Sequence, residues 1–538
     1  MANIKIRHIT EWDNYHFNGP FPAKLLFDMD TDRSIVSLVK RFNDCVKDIR
    51  QLLQDSLDAG ETFRAYGSSW SLSDIAPADR MLFNARLNIK KEMADSQLHA
   101  ASAAKSENLF LFQCGNTVKE ISEYLFKKGK SLKTCGASNG QTIAGAISTG
   151  VHGSAIDMGA IQDSVAGIQL ITGPGTDDVF YIERKSRPYL NDDFAKSINA
   201  KTVRDDGLFN AVLVSMGSFG VIHGVVMEGE DLYLLKRYVK KISRADALQI
   251  ASTMDFAHAR FKITEEVQTD GTVNRPYHFK LYINPYNAAE DFVTEIIYKK
   301  PYTEDYPDPI PFIKKSIFRD LPSWIADFAA RCKRIVPLIL TALKGEAFPA
   351  VDDNIEGTLG EIFWDTSQSS AAFGCGFGMD ITDTTRALDI FIGLMNDKGP
   401  IPGILSMRFV KGTDATLGFT KFPVTCILEV DGIPWKGNAD MISLDDFLTE
   451  VIKAFTASGI NFTLHWGKNA PWAYPGLVNT MYGTAADTWR NIRSTLLTKQ
   501  TAELFTNAFL NATKLAEYNA NPSADMIALG KLIAANNA

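Results

Sequence analysis

The sequence predicts an α+β chain of more than one domain. Three observations carry this. The 538 residues exceed what one ordinary hydrophobic core organises. Helical 3.6-residue periodicity and short β-branched or aromatic runs both occur. Around residue 233 the character changes, from glycine-punctuated segments to longer aromatic strands alternating with helices.

Taken in order, Ile35, Leu38, Val39, Phe42, Val46, Ile49, Leu52 and Leu53 recur at helical spacing between Thr31 and Gly60, where glycine supplies the stop. TFRAYG is extended. LFLFQCG (109–115) is a strand leading into a helix from about Thr117, capped by Asn116 and ended by Gly129. DSVAGIQLITGPGTDDVFYIE reads as a hairpin turning at Gly173, Pro174 and Gly175. LFNAVLVSMGSFGVIHGVVME gives a helix, a turn and a strand. From 233 to about 455 the strands HFKLYINP, ILSMRFV and TCILEV alternate with helices at 383–395 and 443–457, and the rest is mostly helical. Repeats and low-complexity linkers are absent from the sequence.

Composition narrows the function classes. Hydrophobic residues make up 45% and charged residues 22%, an ordinary globular balance. A net charge of −7 argues against a nucleic-acid partner. The start has no apolar signal-like run, and no stretch approaches the ~20 apolar residues that cross a bilayer. The six cysteines are scattered without CxxC or Cys/His metal spacing, so no metal is expected and a reduced cytoplasmic setting fits best.

Two loops point to chemistry. One is YGSSWS (66–71); the other lies in CGASNGQTIAGAISTGVHGSA (135–155), where 14 of 21 residues are Gly, Ala, Ser or Thr. Small residues beside strands let backbone N–H groups approach a bulky anion such as a phosphate. Neither loop fits GxGxxG opening a βαβ unit, nor a P-loop.

With GSSWSLSDIA (67–76), GQTIAGAISTGVHGSA (140–155), GSFGVIHGVVME (217–228), HWGK (465–468) and FTNAF (505–509) in this order, the chain resembles the vanillyl-alcohol oxidase family. These are the flavoproteins of the p-cresol methylhydroxylase (PCMH) type. The resemblance is nearest to the aldonolactone and alditol oxidase branch, with some similarity to the FAD-linked cholesterol oxidases. It implies a two-lobed FAD-binding domain from residues 1–232 and 458–538, with an α+β substrate cap at 233–457 carrying the apolar insert 310–345. By the same resemblance Tyr66, Gly67, Ser68, Ser69, Trp70 and Ser71 form the first pyrophosphate loop. Ser138, Asn139, Gly140, Thr142, Gly145, Ser148, Thr149, His152 and Gly153 form the second. Gly220, Val221 and Ile222 edge the adenine and flavin, and Asn507 returns from the C-terminal end.

The sequence departs from the family twice. Where relatives carry a histidine bonded to the flavin, this chain has Trp70 or Ser68, and Ser138 stands at the alternative cysteine position, so FAD is expected to be non-covalent. The Glu-x-Arg pair of the alditol branch becomes Ser406 and Arg408, with Glu429 on the next strand as the substitute carboxylate. The implied activity is oxidation of a CH–OH group of a small-molecule alcohol to a carbonyl, with O2 or another electron acceptor closing the cycle. Lys468, His465, Arg408, Glu429 and Ser148 are the catalytic candidates, and His152 belongs to the cradle. Alternatives are oxidation of a C–N bond, an oxidative cyclisation, or a flavin-binding protein without catalysis. Interleaved with Lys314, Lys315, Arg331, Lys333 and Arg334, the insert 310–345 offers a greasy lid or a membrane contact, with cap core the favoured reading.

Overall fold

The computed structural model describes residues 2–287, 289–307, 336–337, 348–363, 372–432, 434 and 442–535. The apolar insert 310–345 therefore lies outside the described residues apart from 336 and 337.

Two sheets build the N-terminal part. A four-stranded sheet runs Asn3–His8, Leu25–Asp30, Arg80–Arg86, Phe63–Tyr66. A six-stranded sheet runs Lys201–Arg204, Val179–Glu183, Val165–Ile171, Val221–Glu228, Leu109–Gln113, Lys90–Glu92. The expected hairpin is its centre: Val165–Ile171 pairs antiparallel with Val179–Glu183, closing at Ile171 opposite Val179. A buried neutral chain pins this sheet. His223 Nδ1 donates to Gln169 Oε1 at 2.7 Å, and its Nε2 accepts a hydrogen bond from Gln113 Nε2 at 2.9 Å.

Two helix starts differ from the sequence reading. The first helix is Leu38–Ala59, because Ser37 accepts from Lys40 N–H while Asp32 captures the Ser34 N–H and holds the preceding residues in a turn. Gly60 ends it in the left-handed region, as expected. The second is Val118–Phe126, capped by Thr117 in a reciprocal pair with Glu120, whereas the Asn116 amide is spent on the carbonyls of Ile89 and Gln113. It stops three residues before Gly129.

The third sheet positions the chemistry. Eight antiparallel strands run Ile355–Gly357, Tyr233–Ile242, Phe292–Pro301, His278–Ile283, Gly403–Lys411, Val424–Gly432, Phe373–Asp380, Phe462–Leu464. The last of these comes from the stretch expected to be helical. Side chains alternate across a strand, so each strand has two characters. Leu405, Met407, Phe409, Leu428, Val430 and Phe377 are buried on one face, where Phe377 meets Phe391 and Phe455 of the helices Thr384–Lys398 and Leu444–Ala457. The other face carries Lys280, Tyr282, Ser406, Arg408, Glu429 and Asp431, brought level by the pairings Lys280 with Arg408, Tyr282 with Ser406 and Ser406 with Glu429.

Gly220 shows why glycine is needed where the turn meets the strand Val221–Glu228. Its φ is 133°, and a Cβ there would come within 2.3 Å of the Ile171 carbonyl oxygen. Gly220→Ala is expected to lower stability by more than about 2 kcal/mol. Gly393, exposed in the helix Thr384–Lys398 with no atom near its Cβ position, is the control. Gly393→Ala is expected to raise stability by about 0.5–1 kcal/mol. Chemical denaturation of both variants checks the opposite signs.

Candidate active site

The two small-residue loops touch. A Cβ on Gly67 would sit 1.9 Å from Thr142 Oγ1, and one on Gly140 would sit 2.7 Å from Trp70 Cζ2, so neither glycine admits a side chain. The N-terminal segment braces the first loop: Tyr15 N–H donates to the Ser69 carbonyl, the Asn14 amide donates to the Ser71 carbonyl at 2.8 Å, and the Tyr15 ring stacks on Trp70 at 4.7 Å. Ser69 is held at φ 59°, in the left-handed region. No sequence motif marked this brace.

Among the described residues, the backbone N–H groups of Ser68, Ser69, Trp70 and Ser71 meet no acceptor, and neither do those of Gly136, Ala137, Gly140 and Gln141. Asn139 Oδ1 and Gln141 Oε1 are buried acceptors without a donor. A double row of unspent donors with buried acceptors beside it fits the pyrophosphate and polar edges of a dinucleotide such as FAD.

Other sequence-predicted residues sit close by. Ser148 and Thr149 end the short helix Ile143–Thr149, where the Thr149 hydroxyl donates to the Gly145 carbonyl and the Ser148 carbonyl accepts from Met216 N–H. Gly153 packs on the Cys135 carbonyl, so it closes the second loop on itself. Val221 and Ile222 lie in the ladder opposite Ile171 and Leu170. Asn507 caps Ala508–Ala512 and gives its amide to the carbonyls of Ile75 and Pro77, fixing the far end of the first loop. Arg64, buried, donates to the carbonyls of Ile75, Phe505 and Met216, which ties the same three regions together. Tyr66 packs edge-on to Trp12.

HWGK joins both loops to the eight-stranded sheet. Leu72 N–H donates to the Gly467 carbonyl at 2.8 Å and the Ser73 hydroxyl to the Trp466 carbonyl at 2.7 Å. On the second loop, the Ser154 hydroxyl donates to the Phe279 carbonyl and accepts from Phe409 N–H. Trp466 turns inward, stacked on Trp472, which leaves His465 and Lys468 on the site side. The His465 and His152 rings lie 5.3 Å apart, each against Phe419.

The polar centre is Glu429, 1% exposed. Its Oε2 is 2.7 Å from Arg408 Nε, its Oε1 is 2.7 Å from Lys468 Nζ, and the Ser406 hydroxyl donates to Oε2 at 3.3 Å. Lys468 also reaches Asp431 at 3.2 Å. Burial would raise the Glu429 carboxyl, but Arg408 and Lys468 overcome it and hold it well below the usual range. Burial would lower Lys468, but Asp431 and Glu429 leave it raised. Both cations stay charged.

The histidines stay neutral, and their tautomers are opposite. Burial takes His152 down to about 4 and holds His465 well below its ordinary value. His152 Nδ1 faces the Gly153 carbonyl at 3.0 Å, so it carries the proton and Nε2 keeps the lone pair. His465 Nδ1 accepts from Gly467 N–H at 3.1 Å, so its proton is on Nε2. Lys280, which no motif marked, stands opposite Arg408 on the same face.

An FAD binding domain family matches residues 44–176. Cholesterol oxidase from B. sterolicum superposes with TM-score 0.64 at 13% identity over 95% of this chain and 97% of that one. The chain has the PCMH-type FAD-binding fold. A second structure of that fold, a solvent-stable cholesterol oxidase, gives TM-score 0.64 at 12% identity over 96% of this chain and 98% of its own. Among curated relatives, D-arabinono-1,4-lactone oxidase of Debaryomyces hansenii is 26% identical over 36% of this chain and 31% of its own length. The Saccharomyces cerevisiae enzyme of that name is 26% identical over 33% and 29%. The chain thus spans about a third of the length of the curated relatives it matches. FAD is the cofactor of the PCMH-type loops. No helix among the described residues is long and apolar enough to cross a membrane.

The neutral histidines set a pH dependence. His152 at about 4 and His223 at about 3 lie below the ordinary 6.5, so between those values the unfolded chain binds more protons and stability falls as pH falls. Asp163, raised to about 6 by burial, works in the opposite sense. From pH 7.5 to 5.5 each buried histidine is expected to cost about 1 kcal/mol. Denaturation midpoints of wild type and His152→Gln check this: the variant should lose less on acidification.

Proposed function

We propose that the protein is an FAD-dependent oxidoreductase that converts a CH–OH group of a small molecule to a carbonyl, with O2 or another acceptor completing the cycle. The observation that carries this reading is the buried Glu429 held between Arg408 and Lys468, on the sheet face that HWGK links to both loops. FAD, when bound, supplies the two-electron acceptor for the hydrogen leaving carbon as hydride.

The loop N–H groups at 68–71 and 136–141 would hold the pyrophosphate, with Asn139 and Gln141 offering acceptors to the remaining polar edges. Lys468 and Arg408 hold the substrate oxygen and stabilise the charge it gains as its proton leaves. Glu429 fixes the direction of both cations, which together with the Ser406 hydroxyl occupy its two oxygens. His152 Nε2 is the ring nitrogen able to accept the hydroxyl proton, and the Nε2–H of neutral His465 donates a hydrogen bond to the same oxygen. Ser148 lines the second loop beside them. Lactone, sterol and polyol all present oxygen, and the charge-rich face favours an oxygen-rich substrate over a wholly apolar one.

The cofactor is held without a covalent bond, since Trp70 and Ser68 stand where a linking histidine would be, and acid precipitation should release the yellow colour to the supernatant. Anaerobic mixing of the yellow protein with panels of polyols, lactones and sterols should bleach the flavin with at least one class. Lys468→Met should slow that bleaching about 10²–10³-fold. A protein that binds no FAD, or one whose Lys468→Met variant bleaches at the wild-type rate, contradicts the reading.

A further inference from the structure

Among the described residues, Lys280 is the basic side chain on the site face that has no carboxylate paired with it. Arg408 has Glu429 at 2.7 Å, Lys468 has Glu429 and Asp431, and Arg237 has Asp353 at 2.7 Å and Glu295 at 3.7 Å. Among the described residues, Lys280 has no carboxylate within ion-pair distance. Its Nζ lies over the Tyr282 ring, 4.3 Å from the centroid, and Arg408 stands directly across on the neighbouring strand.

We propose that Lys280 and Arg408 together receive an anionic oxygen group of the substrate, so that the molecule oxidised is a hydroxy acid and its carboxylate completes the charge balance of this face. This rests on the oxidoreductase reading above.

The charges around Lys280 explain the preference. On its own strand Tyr282 and His278 share its face; from the adjoining strands come Arg408, Ser406 and Glu295, and beyond them Glu429 and Asp431. Burial first, then Arg408, take the Lys280 amine down to about 7, while Glu295, Glu429 and Asp431 pull the other way only from a distance. His278 is also lowered by burial and faces Glu295 at 3.0 Å, so it adds no positive charge. A ligand carboxylate between Lys280 and Arg408 would restore the ammonium form, so binding would draw in a proton. A neutral alcohol would leave the amine as it is. Charge-assisted hydrogen bonds to two cations are the strong kind, and a neutral analogue of the same size forgoes them.

The test uses the FAD-loaded full chain, titrated at pH 8 with glycerate and with glycerol while flavin absorbance is followed. Glycerate should bind at least about tenfold more tightly than glycerol. Calorimetry in two buffers of different ionisation enthalpy should show close to one proton taken up per glycerate bound. Lys280→Met, with FAD content and thermal midpoint as the folding check, should lose both the preference and the proton uptake, whereas Lys280→Arg should keep the preference without the proton uptake. Equal affinity for glycerate and glycerol, no glycerate binding, or a preference that survives Lys280→Met overturns the proposal alone. Failure to take up FAD overturns the oxidoreductase reading instead and carries the proposal with it.

Discussion

The rest of the site depends on the burial of one carboxylate. Taking an ion such as Glu429 out of water costs several kcal/mol, and only close opposite charges offset it. Arg408 from the same sheet and Lys468 from the HWGK turn provide them. Because Lys468 arrives on a different segment, the ion cluster also docks the C-terminal part of the chain against the eight-stranded sheet. The same turn takes Leu72 N–H and the Ser73 hydroxyl from the first loop. One electrostatic constraint thus fixes three regions distant in sequence.

Strand alternation makes that constraint usable. One face of the eight-stranded sheet is spent on apolar packing against helices, which leaves its polar side chains on the face toward the two small-residue loops. Ordinarily such a row of charges would be solvated. Here Ser154 stitches the second loop onto two strands of the sheet, and Glu429 and Ser406 at the centre of the row are buried while Asp431 stays partly exposed. Burial explains why His152 and His465 are neutral beside charged groups: two anions and two cations balance, and uncharged imidazole is then favoured.

Legibility in the sequence followed the range of the physics. The loops could be read because a backbone that must approach an anion excludes large side chains, and Gly67 and Gly140 are indeed pressed against Thr142 and Trp70. The hairpin at 173–175 and the stop at Gly60 could be read because turn chemistry is local. Thr117 and Asn116 are both cap formers and adjacent, so only the reciprocal bond with Glu120 distinguishes them. Glu429 was reachable as a strand neighbour of Arg408. Lys280 was not, because its meaning arises from a register between distant strands. The Tyr15–Trp70 stack was hidden for the same reason, and the strand Phe462–Leu464 is too short to leave a pattern.

The proposed function puts the Glu429 cluster at the substrate oxygen, and hydride transfer would bring the neighbouring carbon against the flavin, so the charge of the cluster should be felt by the flavin. The most direct measurement is the two-electron midpoint potential of the bound flavin in wild type and in Glu429→Gln. Removing the negative charge leaves Arg408 and Lys468 less compensated, which favours the reduced, anionic flavin, so the potential should rise by about 30 mV or more. An unchanged potential in a variant that still binds FAD would place the cluster away from the cofactor and contradict the account.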